Sequence, residues 1–191
     1  MKKILLVLPT MEELKYRQDL MKDPETMAYN AGYDVDIKGY DKENGTITKT
    51  DEEMIEWYHK WINKEPDKYY AYIYGVEEQA YVGEIYYYPD GDIHSMGIVI
   101  DSKYRGKGYA YLALLELEKV AFERYGINEL SDIIPLDRIG AIKSFKKAGF
   151  VHTDLVKSDK NGEARQLLIT KDQYFANKSS KLGEWKLSFF M

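Results

Sequence analysis

The sequence predicts an α+β domain: a mixed, mostly antiparallel sheet of about seven strands, flanked by about four helices. Three observations predict it. Short β-branched or aromatic runs and helical patterns follow one another in the order β-α-α-β-β-β-α-β-α-β-β. Two turn sequences, Pro89-Asp90-Gly91-Asp92 and Ser158-Asp159-Lys160-Asn161-Gly162, join neighbouring strands into antiparallel hairpins. Between residues 92 and 134 a strand, a loop, a helix and a further strand succeed one another, and that unit requires a parallel crossover.

Each element has a local reason. Lys3 to Leu8 is a β-branched and leucine-rich run that ends at Pro9. Thr10 with Glu13 three positions on is a capping-box pattern, opening a helix to about Met21 that Asp23-Pro24 closes or bends. Residues 30 to 50 are rich in Gly, Asp, Asn and Lys and read as a long surface loop, a type more often functional than accidental. Thr50 caps a second helix whose Met54, Trp57, Tyr58 and Trp61 form an apolar, core-facing stripe. Strands follow at Tyr69–Tyr74, Tyr81–Tyr88 and Asp92–Ile100. A helix from Gly108 to about Tyr125 stops near Gly126, and a strand at Leu130–Ile134 is ended by Pro135. Ala141–Lys147 is helical, with Ile142 and Phe145 inward and Gly149 as its cap. Phe150–Val156 and Glu163–Thr170 make the last hairpin.

Composition bounds the function. At 191 residues the chain suits one domain, residues 1–171, with a tail at 172–191. The tail ends in Trp185, Leu187, Phe189 and Phe190, which water would leave as an apolar patch; burial on the same domain or in a homodimer is expected. With no cysteine, disulfides, thiolate metal sites and cysteine nucleophiles are excluded, and no metal is expected. A net charge of −5 argues against a nucleic-acid partner. The apolar run Ile4–Leu8 is too short to span a membrane, so a cytoplasmic protein is expected. The 18 tyrosines cluster in the middle strands, where aromatic rings serve strand packing or a ligand wall.

The most informative stretch runs from Gly97 to Ala110. An apolar strand empties into Arg105-Gly106-Lys107-Gly108, which opens a long helix. Free backbone N–H groups, the positive end of the helix dipole and two cations make an anion site suited to a pyrophosphate. The chain lacks the Gly-Lys-Ser/Thr of a nucleotide triphosphatase and the early Gly-x-Gly-x-x-Gly of a dinucleotide fold.

Arg105-x-x-Gly108-x-Ala110 resembles the Arg/Gln-x-x-Gly-x-Gly/Ala signature of the Gcn5-related N-acetyltransferase (GNAT) superfamily. Ala141 to Phe150 resembles that superfamily's second signature, a helix ending in Gly-Phe, and the likeness spans residues 3 to 171. The resemblance implies an acyl-CoA N-acyltransferase fold, in which two parallel central strands splay apart around acetyl-CoA. Backbone groups of Ile98, Val99 and Ile100 would then hold the pantetheine arm, and the loop of Arg105, Gly106, Lys107, Gly108, Tyr109 and Ala110 the pyrophosphate. Transfer in this family is usually direct, with no covalent intermediate.

The same resemblance places the chemistry. The family's glutamate base, eleven residues before the signature arginine, falls on His94, with Glu84 on the preceding strand in reserve. Phe145 occupies the position of a tyrosine near the sulfur of CoA, so the proton donor is left to Ser144, water or no group at all. Arg138 stands where an asparagine is common, contacting pantetheine or reaching a phosphate. Asp132 is a carboxylate amid apolar neighbours, explained by a water-exposed strand tip or by contact with an amine.

The resulting expectation is an acetyl-CoA-dependent N-acetyltransferase for a primary amine on a small cationic molecule, aminoglycoside- or polyamine-like. The carboxylates Asp34, Asp36, Asp41, Glu43, Asp51, Glu52 and Glu53 would attract such a cation, or are merely a solvated loop face. The alternatives are a protein or peptide N-acetyltransferase and an inactive acyl-CoA-binding sensor.

Overall fold

The computed structural model describes residues 2–159 and 162–188, with backbone alone for residues 159 and 181–188. The strands are β1 (Ile4–Val7), β2 (Tyr69–Gly75), β3 (Ala80–Asp90), β4 (Ile93–Ile100), β5 (Glu129–Pro135), β6 (Val151–Asp159) and β7 (Gly162–Thr170). They form one sheet in the order β1-β2-β3-β4-β5-β7-β6, in which only β4 and β5 are parallel. The helices are α1 (Leu14–Lys22), α2 (Pro24–Met27), α3 (Asp51–Trp61), α4 (Tyr109–Glu118), α5 (Ile139–Ala148) and α6 (Lys171–Ser188). The α+β class and the seven strands stand as expected, whereas the α-helices among the described residues number six rather than four, and Lys119–Arg124 extends α4 as a π-helix.

The additional helices have local causes. Asp23 is the cap of α2, because its carboxylate accepts from the Thr26 N–H at 3.0 Å and Pro24 needs no partner for its own nitrogen. The other is α6: the Thr170 N–H donates to Gln173 and Thr170 Oγ1 accepts from the Gln173 N–H. Tyr174 on this helix is buried in the main core, so the tail begins by packing on its own domain. The burial expected for Trp185, Leu187, Phe189 and Phe190 concerns side chains outside the described residues. At α3 the expected cap at Thr50 forms and proves reciprocal, Thr50 N–H to Glu53 at 3.0 Å and Glu53 N–H to Thr50 Oγ1 at 3.3 Å.

The two faces of the sheet carry different cores. On one face α4 and α5 bring Ala113, Leu114, Leu117 and Phe145 against Ile85, Met96, Leu130 and Leu167. On the other, α1 and α3 lay Tyr16, Trp57 and Trp61 over Tyr70, Tyr72 and Tyr86. The tyrosine-rich strands make this division possible. Alternation sends Tyr69 and Tyr87 to the α4 side, where they stack at 5.8 Å, and Tyr70, Tyr72, Tyr86 and Tyr88 to the other. A β-bulge lies where Ile73 pairs with Gly83 and Tyr74 with Tyr81; beside it the part-buried Tyr81 packs on the α1 and α3 side and the buried Val82 on the α4 side.

Candidate functional site

The site begins where the sheet opens. β4 and β5 pair at only two positions, His94 with Leu130 and Ser95 with Ser131, although β4 continues to Ile100 and β5 to Pro135. Beyond Ser95 the strands part, leaving an edge of β4 without a partner strand. The Val99 carbonyl points toward Gly83 on β3, and the Asp101 N–H donates to Val82 at 3.1 Å. By alternation, Met96, Ile98 and Ile100 turn their backbone groups into the gap. This corrects two expectations: Val99 faces β3 and not the gap, and Met96 belongs to the edge the sequence reading began at Ile98. The Ile100 carbonyl is already taken, by Arg105 Nε at 3.2 Å.

At the open end of the gap lies the glycine loop. Gly106 and Gly108 have φ of +71° and +89°, the left-handed region that glycine enters at no cost. Among the described residues no acceptor is found for the N–H groups of Gly106, Lys107, Gly108, Tyr109 or Ala110. Five free donors at the start of α4 are the arrangement that a backbone anion site requires. The side chains divide the work differently from expectation. Lys107 stays at the exposed loop, 5.2 Å from the Tyr104 ring. The Tyr109 ring is buried to 1% exposure, so its contribution is the N–H alone.

Arg105 turns away from the loop. Its guanidinium donates to the carbonyls of Glu25, at 3.1 Å, and Thr26. The Ser102 N–H also donates to Thr26 Oγ1 at 3.0 Å. Arg138 makes the matching contact after β5, donating to the Tyr29 carbonyl at 2.6 Å with its guanidinium 5.0 Å from the Tyr29 ring. Residues 23–30 are thus strapped across the mouth of the gap, tied to the exit of β4 and to the exit of β5. Both arginines hold this wall, where the sequence reading had assigned them to the cofactor.

The two candidate bases lie on opposite faces. Glu84 is 3% exposed, and both its oxygens are engaged, one by the Arg17 guanidinium and one by the Tyr70 hydroxyl. Burial opposes the Arg17 charge, but Glu84 and Tyr70 outweigh it and raise its pKa further. Arg17 also lies over the Trp57 ring at 4.4 Å. Glu84 is therefore a structural counter-ion, a correction to its reserve role as base. His94 projects to the α4 face at the paired end of β4, edge-on to Tyr87 at 5.6 Å. Burial lowers its pKa against the opposing pull of Asp67 and Glu129.

Phe145 is core, at 1% exposure and edge-on to Phe150 at 4.9 Å, which corrects its placement along the cofactor. The Ser144 hydroxyl donates to Gly140 within its own helix at 3.0 Å. Asp132 is no strand tip: it is the first β5 residue past the last pair with β4, half-buried, its Oδ1 accepting from the Ile133 N–H at 2.8 Å. Burial pushes its carboxyl up to about 7, against the lowering effects of that N–H and of Arg138.

One functional candidate escaped the sequence reading. The Tyr86 hydroxyl lies over Gly97, where a Cβ would collide with it. It therefore sits just past the split, on the face opposite α4. Burial raises its pKa, so it remains a neutral phenol. A glycine inside a strand was the available signal, because it marks the close approach of another group. Trp61 stands edge-on to Tyr86 at 5.4 Å and to Tyr88 at 5.8 Å, completing an aromatic wall.

The acidic loop is largely spent on itself. Asp41 accepts from the Glu43 N–H and from Asn44, Glu53 pairs with Lys38 at 2.7 Å, Asp34 pairs with Lys42, and Asp51 accepts from Gln18. Beside the gap, a cavity of about 260 Å³ is lined chiefly by Tyr33, Val35, Ile37, Ile133 and Arg138, with no carboxylate among its walls.

A splayed parallel pair above a free-amide loop at a helix N-terminus defines an acyl-CoA-type transferase fold. The chain belongs to the GNAT acetyltransferases: the model for the acetyltransferase (GNAT) domain matches residues 3–151. No curated protein sequence matches. Among solved structures, spermidine N-acetyltransferase from Vibrio cholerae in complex with CoA and spermine is similar at TM-score 0.71 and 13% identity, over 90% of this chain and 98% of that one. A GNAT-family acetyltransferase from Bacillus anthracis is similar at TM-score 0.66 and 16% identity, over 90% and 99%. At these identities the likeness is one of fold.

Proposed function

We propose that this chain moves an acetyl group from acetyl-CoA directly to a primary amine of a small, polyamine-like cation. The observation that carries the reading is the parting of β4 and β5 beside the five free N–H groups of residues 106–110. Acetyl-CoA supplies a thioester, an acyl group activated toward attack by a neutral amine. The loop amides would hold its pyrophosphate, and the free edge at Met96 and Ile98 its amide-bearing arm.

The loop opens α4, so the cofactor enters the gap from the α4 face. The amine then comes from the other face, past Trp61, Tyr86 and Tyr88. Aromatic faces attract a cation without demanding a carboxylate. The neutral Tyr86 hydroxyl can orient the nitrogen. The Vibrio cholerae relative binds spermine and CoA, which supports the same class of acceptor here.

Release of CoA thiol measured with spermidine, spermine, an aminoglycoside and an N-terminal peptide amine tests the reading. Turnover is expected with the polyamines. A specific observation favours one rival: the cavity beside the gap is apolar and bears Arg138, which suits a peptide amine with an apolar or anionic body. Turnover with the peptide alone would establish that rival, and tight acetyl-CoA binding with no thiol release would leave an acyl-CoA-binding module.

His94 faces the wrong side to take the amine proton, and water takes it instead. His94→Ala is expected to keep kcat within about three-fold, short of the 10²–10⁴ of a lost general base. Loss of the acidic limb of the pH–kcat profile in that variant would restore His94 as the base.

A further inference from the structure

We propose that the Asp132 carboxyl is the general acid that protonates the departing sulfur of CoA. The proposal rests on the transferase reading above and adds a catalytic residue to it.

The placement is specific. Ser131 is the last β5 residue paired with β4, and Asp132 is the next, so it is the first to face the open gap. Its neighbours at two-residue spacing, Leu130 and Ile134, both belong to the core beneath α4 and α5. So does Leu167, its partner on β7. Alternation therefore puts Asp132 on the α4 face, the side from which the cofactor arm enters. An acid is needed on that side and a base on the other.

Among the donor positions that the sequence pointed to on that side, none is placed to give a proton. Phe145 has none to give, the Ser144 hydroxyl is committed to Gly140, and His94 lies at the paired end against Tyr87. Asp132 uses one oxygen for the Ile133 N–H, and no described residue donates to the other. Among charged and titratable groups, Arg138 before α5 acts on it, and Tyr86 and Tyr88 of β3 feel its charge. α4, α5 and β7 bring Leu114, Phe145 and Leu167 to that face, and α4 also brings the ionisable Tyr109, Tyr111 and Glu118.

The step balances. The amine nitrogen forms its bond to the acetyl carbon, and the C–S bond breaks with its electron pair going to sulfur. Asp132 gives sulfur a proton, water takes one from the nitrogen, and solvent returns one to the carboxylate. A carboxyl held near neutrality by burial matches this task, since a thiol such as that of cysteine titrates higher, at about 8.5.

The test compares the wild type with Asp132→Asn and Asp132→Glu, using acetyl-CoA and spermidine between about pH 5.5 and 9, the range that brackets such a carboxyl and thiol. Asp132→Asn is expected to lower kcat about 100-fold with the KM for acetyl-CoA nearly unchanged, as for removal of a general acid. The wild-type kcat should fall as pH rises through the carboxyl's titration, the Asn variant should lack that fall, and the Glu variant should regain part of the rate. Unchanged kcat and an unchanged alkaline limb in Asp132→Asn overturn the proposal.

If the Asn variant does not fold, a carbon-13 titration of the Asp132 carboxyl in the wild-type CoA complex decides. Coincidence with the alkaline limb supports the role, and a midpoint elsewhere overturns it. A wild type that binds acetyl-CoA but releases no thiol with any amine overturns the transferase reading, and this role with it. Activity in the wild type with an indifferent Asn variant overturns this role alone.

Discussion

Glu84→Ala is expected to lower the unfolding free energy by about 3–5 kcal/mol, because it strands the buried Arg17 charge without its partner. For a chain of this size that is a fall in Tm of roughly 6–20 °C. The Arg17 side chain is 15% exposed and that of Glu84 4%, so solvent offers little relief. The loss would spread through Trp57 and Tyr70, which pack on the guanidinium. Arg17→Met combined with Glu84→Leu and Tyr70→Phe should recover most of the stability, since both charges and the hydroxyl that Glu84 accepts from are removed together. Thermal unfolding of the three proteins checks this. A Glu84→Ala protein with unchanged Tm and a kcat reduced 100-fold or more would return Glu84 to the role of base.

Gly108→Val is expected to act on the cofactor far more than on the fold. In the free chain a Cβ at Gly108 meets nothing within 4 Å, so the cost is that of a left-handed backbone at φ +89°, about 1–2 kcal/mol. With a phosphate drawn against the neighbouring N–H groups, the valine side chain occupies the ligand's space. The KM for acetyl-CoA should rise ten-fold or more while Tm falls by only a few degrees. Equal KM values for the two proteins would show that the pyrophosphate lies elsewhere.

Much of this molecule was legible along the chain. Local rules sufficed for the cap of α3 at Thr50, the turn at Gly91, the start of α4 after Gly108 and the end of α5 at Gly149; the sequence pattern carried the α4 helix to about Tyr125, whereas α4 ends at Glu118 and Lys119–Arg124 continues it as a π-helix. The parallel crossover followed from strand–loop–helix–strand order alone, and the splaying of its strands came from the resemblance carried by Arg105-x-x-Gly108-x-Ala110. One-turn α2 was missed because Asp23-Pro24 reads as a break and is equally a cap followed by a first helical position.

The candidate site was legible in position and not in direction. Counting back from Arg105 finds His94, but only strand pairing shows that His94 shares the α4 face with Met96 and Tyr87 while Glu84 shares the other with Tyr70. One step of alternation decides between gap and neighbour, and it set Val99 aside in favour of Met96. Arg105 and Arg138 illustrate a second limit. Their charge is visible in the sequence, yet the carbonyls of Glu25, Thr26 and Tyr29 that claim it come from a segment about 80 and 110 residues away.

By itself, then, the amino-acid sequence determined the strand order along the chain, the turns and the glycine loop before α4, because capping, backbone permissiveness and periodicity act within a few residues. The tertiary structure decided which carboxylate is buried against an arginine, which follows the last pair of β4 with β5, and which tyrosine lies over Gly97. Those outcomes depend on partners brought together across the sheet, where burial and pairing set the charge and the reach of each group.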